Sequence, residues 1–214
     1  MKILSIGARS KRLAGLCCII CLASWSCASS SRSATSAAAT AAAPPQTATA
    51  AAAPAPLLGK FYPSQGHTHL TPGESDDFVY NSNPPTSGPH RELFSDVFSS
   101  PIPLPKYVQV HLLEHGNVLL QYNCSCPDIA TALSSIALQY DSKLIPANEL
   151  QPLPADVQNA EDQGMAVIVA PYPHMKSKIA LTAWTRLATL PAVDKARIIS
   201  FINAYLHNQA NASQ

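Results

Sequence analysis

Three of the seven histidines of this chain fall in two short stretches, Pro84-Pro85-Thr86-Ser87-Gly88-Pro89-His90 and His111-Leu112-Leu113-Glu114-His115-Gly116. Neutral imidazole is the commonest protein ligand for transition metals, so a stiff Pro/Gly loop and a Gly-terminated turn that both carry it suggest an ion site. His90, His111 and His115 form the core of that reading, with His69 and Met175 as completions. Histidines alone suit zinc, nickel or copper, whereas a thioether such as Met175 tilts the choice toward copper, with zinc next. The competing reading is structural: the same imidazoles clamp loops by hydrogen bonds, and Glu114 either orients a ligand ring, fixes His115 or faces solvent.

Cys124-Ser125-Cys126 offers a second chemistry. The pair lies between a strand and the start of a helix, where a helix N-terminus lowers thiol pKa and where thioredoxin-like proteins keep a redox pair, although their usual spacing is Cys-x-x-Cys. The alternatives are thiol redox activity, a soft-metal site or a plain structural disulfide. His67-Thr68-His69 places two imidazoles on one side of an extended segment, an accessory metal arm or a polar loop. His174 and His207 read as surface residues and Trp184 as core. Ser87 beside His90 imitates a nucleophile and its base in sequence only. No Gly-x-Ser-x-Gly, His-Glu-x-x-His or phosphate-cradling glycine loop occurs, which weighs against an enzyme.

These residues need elements to position them. Val108, Val110 and Leu112 alternate with Gln109, His111 and Leu113, and Val118–Tyr122 resumes after Gly116-Asn117. Residues 107–122 therefore read as a β-hairpin with Glu114–Asn117 at its tip. Apolar spacing of three and four predicts a helix over 128–140, and Met165–Ala170 is a buried strand halted at Pro171-Tyr172-Pro173. Ile179–Leu187 reads as one more strand, and Val193–Tyr205 traces a closing helix. The result is an α/β (α+β) fold, a mixed sheet with a hairpin and two flanking helices. It is comparable to a minimal thioredoxin-like core, and a long ordered loop from 57 to 105 precedes it, with Phe78-Val79-Tyr80 its one short strand.

The first quarter of the chain is of another kind. Lys2, Arg9, Lys11 and Arg12 precede an apolar run from Leu13 to Ala23 and small residues to Ser29, the pattern of a secretory signal over 1–28. Cleavage after Ala28 frees the chain, whereas lipidation of Cys27 anchors it to a membrane; the sequence allows both. Residues 29–56 are almost wholly Ala, Ser, Thr, Pro and Gln and read as a disordered linker. The expected location is extracytoplasmic: periplasmic, secreted or held as a lipoprotein. Residues 57–214 make one globular domain. Five of the 14 basic residues and none of the 13 acidic ones lie in residues 1–56, so the rest carries nine against thirteen, a net of minus four. Such a domain has no basic stripe for nucleic acid.

Taken together, the 84–90 and 111–116 motifs, Ala170-Pro171-Tyr172-Pro173, Ala180-Leu181-Thr182-Ala183-Trp184 and a closing helix from near Asp194 resemble the family called domain of unknown function 3105. The resemblance runs from about Gly66 to Leu206. It implies an extracytoplasmic, signal-bearing or membrane-tethered domain, assigns no activity, and does not extend to Cys124 and Cys126. The expectation is an exported, tethered domain that binds a transition metal for handling or sensing, with thiol redox or a non-catalytic interaction module as rivals.

Overall fold

The computed structural model describes residues 58–208, apart from 76 and 150. The proposed signal, linker and Cys27 lie outside the described residues. Five strands, β1 (Lys60–Phe61), β2 (Val118–Tyr122), β3 (Val167–Pro171), β4 (Ile179–Ala183) and β5 (Arg186–Leu190), form one sheet in the order β1-β5-β4-β2-β3. β2 and β3 are parallel, with Val118 opposite Val167, and the remaining pairs are antiparallel. The helices are α1 (Lys106–Glu114), α2 (Pro127–Asp141), α3 (Pro154–Asp162) and α4 (Lys195–Tyr205).

Strand period two divides the core between the two sheet faces. Val118, Leu120, Val167, Val169, Ile179 and Leu181 meet Leu133, Ile136 and Ala137 of α2 and Ile198, Phe201 and Ile202 of α4. Leu119 and Ile168 face the other way, toward Val108, Leu112 and Leu113 of α1 and Ala160 of α3. Strands covered on both sheet faces explain the continuous apolar runs 118–120 and 167–170, buried throughout. Tyr80, Phe94, Phe98 and Leu104, from the long segment before α1, pack onto this second cluster.

The mixed α/β class expected from the sequence is what the structure has, with four helices among the described residues in place of two and with the hairpin elsewhere. Residues 107–114 are helical, so there is no hairpin over 107–122. α1 lies between the sheet and the covering segment, and Val108 to Leu113 are all buried, which removes the amphipathic stripe by which a surface helix is recognised. Gly116 at φ +100° ends it. Its N–H donates to Leu113 O and that of Asn117 to Leu112 O, the two bonds of a Schellman cap. The hairpin is β4–β5, closed by Trp184-Thr185, where Ile179–Leu187 was expected as one strand. Phe78-Val79-Tyr80 is not a strand.

Candidate metal centre

α1 supplies His111 and Glu114, three positions apart and therefore neighbours on one helical face. The segment above it supplies the rest. Residues 66–70 run beside 88–90: Gly88 N–H donates to Gly66 O, His90 N–H to Thr68 O and Leu70 N–H to His90 O. This ladder sets His69 next to His90, with ring centroids 4.8 Å apart. Pro84 to Gly88 are buried, and Thr86 O accepts the Thr185 N–H, which ties the loop to the β4–β5 turn. Tyr80 Oη donates to Pro89 O at 2.8 Å, and Ser87 Oγ accepts the Gln65 N–H. Ser87 is thus a fully buried loop brace and no nucleophile.

Four side chains converge. One donor atom from each of His69, His90, His111 and Glu114 lies within 4.8 Å of every other, so the group could hold a metal ion. Glu114 Oε2 is the hub, 2.9 Å from His90 Nε2, 3.2 Å from His69 Nε2 and 3.8 Å from His111 Nδ1. His67 Nδ1 approaches Oε1 at 3.5 Å from the exposed side. The far nitrogens of two rings are already engaged: His90 Nδ1 with Gly88 O at 2.8 Å and His69 Nδ1 with Glu92 Oε1 at 2.7 Å. A carbonyl only accepts, so His90 Nδ1 donates to Gly88 O, and Nε2 donates to the Glu114 carboxylate at the position an ion would take over. That is how ligand histidines are oriented, one nitrogen on an outer acceptor and the other on the ion.

His111 is 3% exposed, and neither ring nitrogen has a hydrogen-bond partner. Burial, reinforced by the neighbouring His115 and His90, pushes its pKa down to about 3, so the ring is neutral with a lone pair available. Burial works to raise the pKa of Glu114, but hydrogen bonds from His90 and His69 outweigh it and hold the carboxyl at about 2. The centre therefore presents the neutral imidazole of His111 and one carboxylate, to which His90 and His69 are hydrogen-bonded. Bonds of about 2.0–2.2 Å to nitrogen and oxygen require the four donors to draw in somewhat from their present separations, within reach of side-chain rotation.

His90, His111 and His69 of the expected set meet here; His115 and Met175 do not. The His115 ring lies 4.6 Å from that of His111 and bonds Asp162 O through Nδ1 at 2.8 Å, outside the four side chains whose donor atoms converge. Met175 is buried with Tyr172, Ala180 and Leu187 in a separate cluster. Glu114, expected to orient a ligand ring, fix His115 or face solvent, is the hub that meets His90, His69 and His111. Pro105 just before α1 and Gly116 just after it were the available signs of a helix, and a helix puts residues 111 and 114 on one face. Cys124 and Cys126 are joined as a disulfide before α2. His174 and His207 are exposed and Trp184 is buried.

A family model described as "Protein of unknown function (DUF3105)" matches residues 72–214, a span that includes His90, His111 and Glu114 and begins just after His69. No curated protein and no solved structure matches the chain.

Proposed function

The chain belongs to the DUF3105 family, whose description assigns no activity, and we propose that its domain holds a divalent transition-metal ion through His69, His90, His111 and Glu114. The observation that carries this reading is His111: a buried imidazole with both nitrogens unpartnered, aimed into a group whose other two rings are already braced for ligation. Buried polar atoms without partners are rare in native proteins, and an ion is one of the few things that satisfies them. Three imidazoles and a carboxylate suit Zn2+ by geometry and Cu2+ by affinity. The thioether that favoured copper belongs to Met175, which lies in another cluster, so the case for copper now rests on nitrogen donors alone.

Four protein donors fill a tetrahedral shell and leave no open position, which supports holding, delivery or sensing over turnover. The basic and apolar N-terminal run supports an exported domain, free or anchored through Cys27 by the Ala/Ser/Thr/Pro-rich stretch. Metal analysis of the purified protein, before and after loading with Zn2+ or Cu2+, tests the site: one ion per chain is expected, and none in His111→Ala. A wild-type chain that takes up neither ion leaves the histidines as a clamp fastening residues 66–91 to α1. The mass of the mature N-terminus decides between cleavage and lipidation.

A further inference from the structure

The Cys124–Cys126 disulfide stands apart from the histidine cluster, at the end of β2 and the start of α2. Cys126 is the N-cap of that 15-residue helix, and its carbonyl accepts the Ala130 N–H. Pro127 at the first helical position has no N–H, and no side chain caps the helix. The positive end of the helix dipole therefore acts on the Cys126 sulfur, offset in part by the acidic Asp128 in the first turn. Both cysteines are partly exposed and Ser125 between them is exposed, so the sulfurs are within reach of another molecule.

As a staple the bond has little to do. It closes a loop around a single residue, and the chain-entropy contribution of a disulfide is smallest for the shortest loops. The junction is already fixed on both sides: Asn123 N–H donates to Lys178 O and Asn123 Nδ2 to Met175 O, while Cys126 is held by the first turn of α2. A framework that stays put without the bond lets the bond open and close.

We propose that Cys124–Cys126 is a dithiol–disulfide exchange site whose co-reactant is a dithiol, either a protein cysteine pair or a small-molecule equivalent. A thiolate of the partner attacks Cys124 Sγ, the S–S bond breaks, and Cys126 leaves as the thiolate stabilised by the helix N-terminus. The second thiol of the partner then attacks the partner's own sulfur in the mixed disulfide and releases Cys124. The partner is oxidised to a disulfide with loss of two electrons and two protons, and Cys124 and Cys126 are reduced to thiols.

The test is equilibration of the full chain in graded glutathione buffers at neutral pH, with acid quenching, alkylation and peptide-level mass spectrometry to keep these residues separate from Cys17, Cys18, Cys21 and Cys27. Reduction within the buffering range of glutathione is expected, with the thermal transition of the domain retained. Iodoacetamide at about pH 6 should label Cys126 roughly tenfold faster than Cys124 in the reduced chain, and Cys126→Ser should accumulate a glutathione adduct on Cys124. A pair that stays oxidised in excess reduced glutathione, or whose reduction abolishes cooperative melting, overturns the proposal. Equal labelling of the two thiols overturns the assigned leaving group.

Discussion

At the scale of the residue, His111 is the most informative position, because stability and ion binding pull its side chain in opposite directions. A buried imidazole with no partner costs about 1–3 kcal/mol in the metal-free protein. His111→Leu should therefore match or exceed the wild type in metal-free stability, by up to about 2 kcal/mol in urea, while losing the stabilisation that added Zn2+ gives the wild type. A leucine variant less stable than the metal-free wild type would argue for a structural imidazole. Glu114→Gln keeps the size of the hub and removes its charge, and should weaken ion binding at least about tenfold in competition with a chromophoric chelator. Of this site His90, His111 and His69 were legible from the sequence, whereas Glu114 as a member of the group was not. An offset of three from His111 puts a side chain on the opposite face of a strand and on the same face of a helix, so misreading α1 displaced Glu114.

Helices were legible where a periodic apolar face is set against one that meets water, and strands where a short apolar run is bounded by Pro or Gly. α2 and α4 keep an exposed face, so their apolar residues recur at helical spacing, while β2 and β3 are short apolar runs bounded by Pro or Gly. α1 is buried all round and lost its stripe. α3 begins at Pro154 and is largely polar, which reads as loop although proline suits the first helical turn. The β4–β5 turn has no Gly or Pro; Thr185 adopts φ +59° itself. The junction of these elements is tightest at Gly164, φ +68°, where an added Cβ would stand 2.0 Å from His115 O. Gly164→Ala should lower urea stability by more than about 3 kcal/mol, combining a steric clash with a disfavoured backbone. Phe201→Ala, in the fully buried face of α4, should cost about 3–5 kcal/mol by the same measurement.

For the molecule as a whole, the dependence of stability on pH follows from two buried acids outside the group of His69, His90, His111 and Glu114. Burial pushes Asp141 up to about 7 and Glu161 up to about 8, against ordinary values of 3.8 and 4.5. Two donations from Ser95 to Glu161, from its N–H to Oε2 and from its Oγ to Oε1, oppose that rise and do not outweigh burial. A folded state that keeps protons the unfolded chain has released loses stability as pH rises from about 4 through 7–8. His111 and Glu114, with folded values of about 3 and 2, act with the opposite sign, but their effect is complete by about pH 6.5. Metal-free stability should thus fall between pH 6.5 and 8, by an amount on the order of a few kcal/mol, and Glu161→Gln should flatten that fall in urea melts. A wild type equally stable at both ends of this interval would show that the two acids are ionised throughout.

The route by which the chain enters the domain gives the histidine centre a mechanical role. From Leu58 onward the attachments are Leu58 O, which accepts from Tyr205 Oη, then β1, a two-residue edge strand pairing Lys60 with Leu187 and Phe61 with Arg186. Next come the Tyr62 and Gln65 N–H bonds to Thr185 O and Ser87 Oγ, and then the 66–70 ladder and the His69–Glu114 contact. A pull from the N-terminal side peels β1 and then bears on His69. An ion bridging His69 to α1 would act as a rivet at the point where peeling must stop, so that metal occupancy sets the force at which the domain begins to come apart.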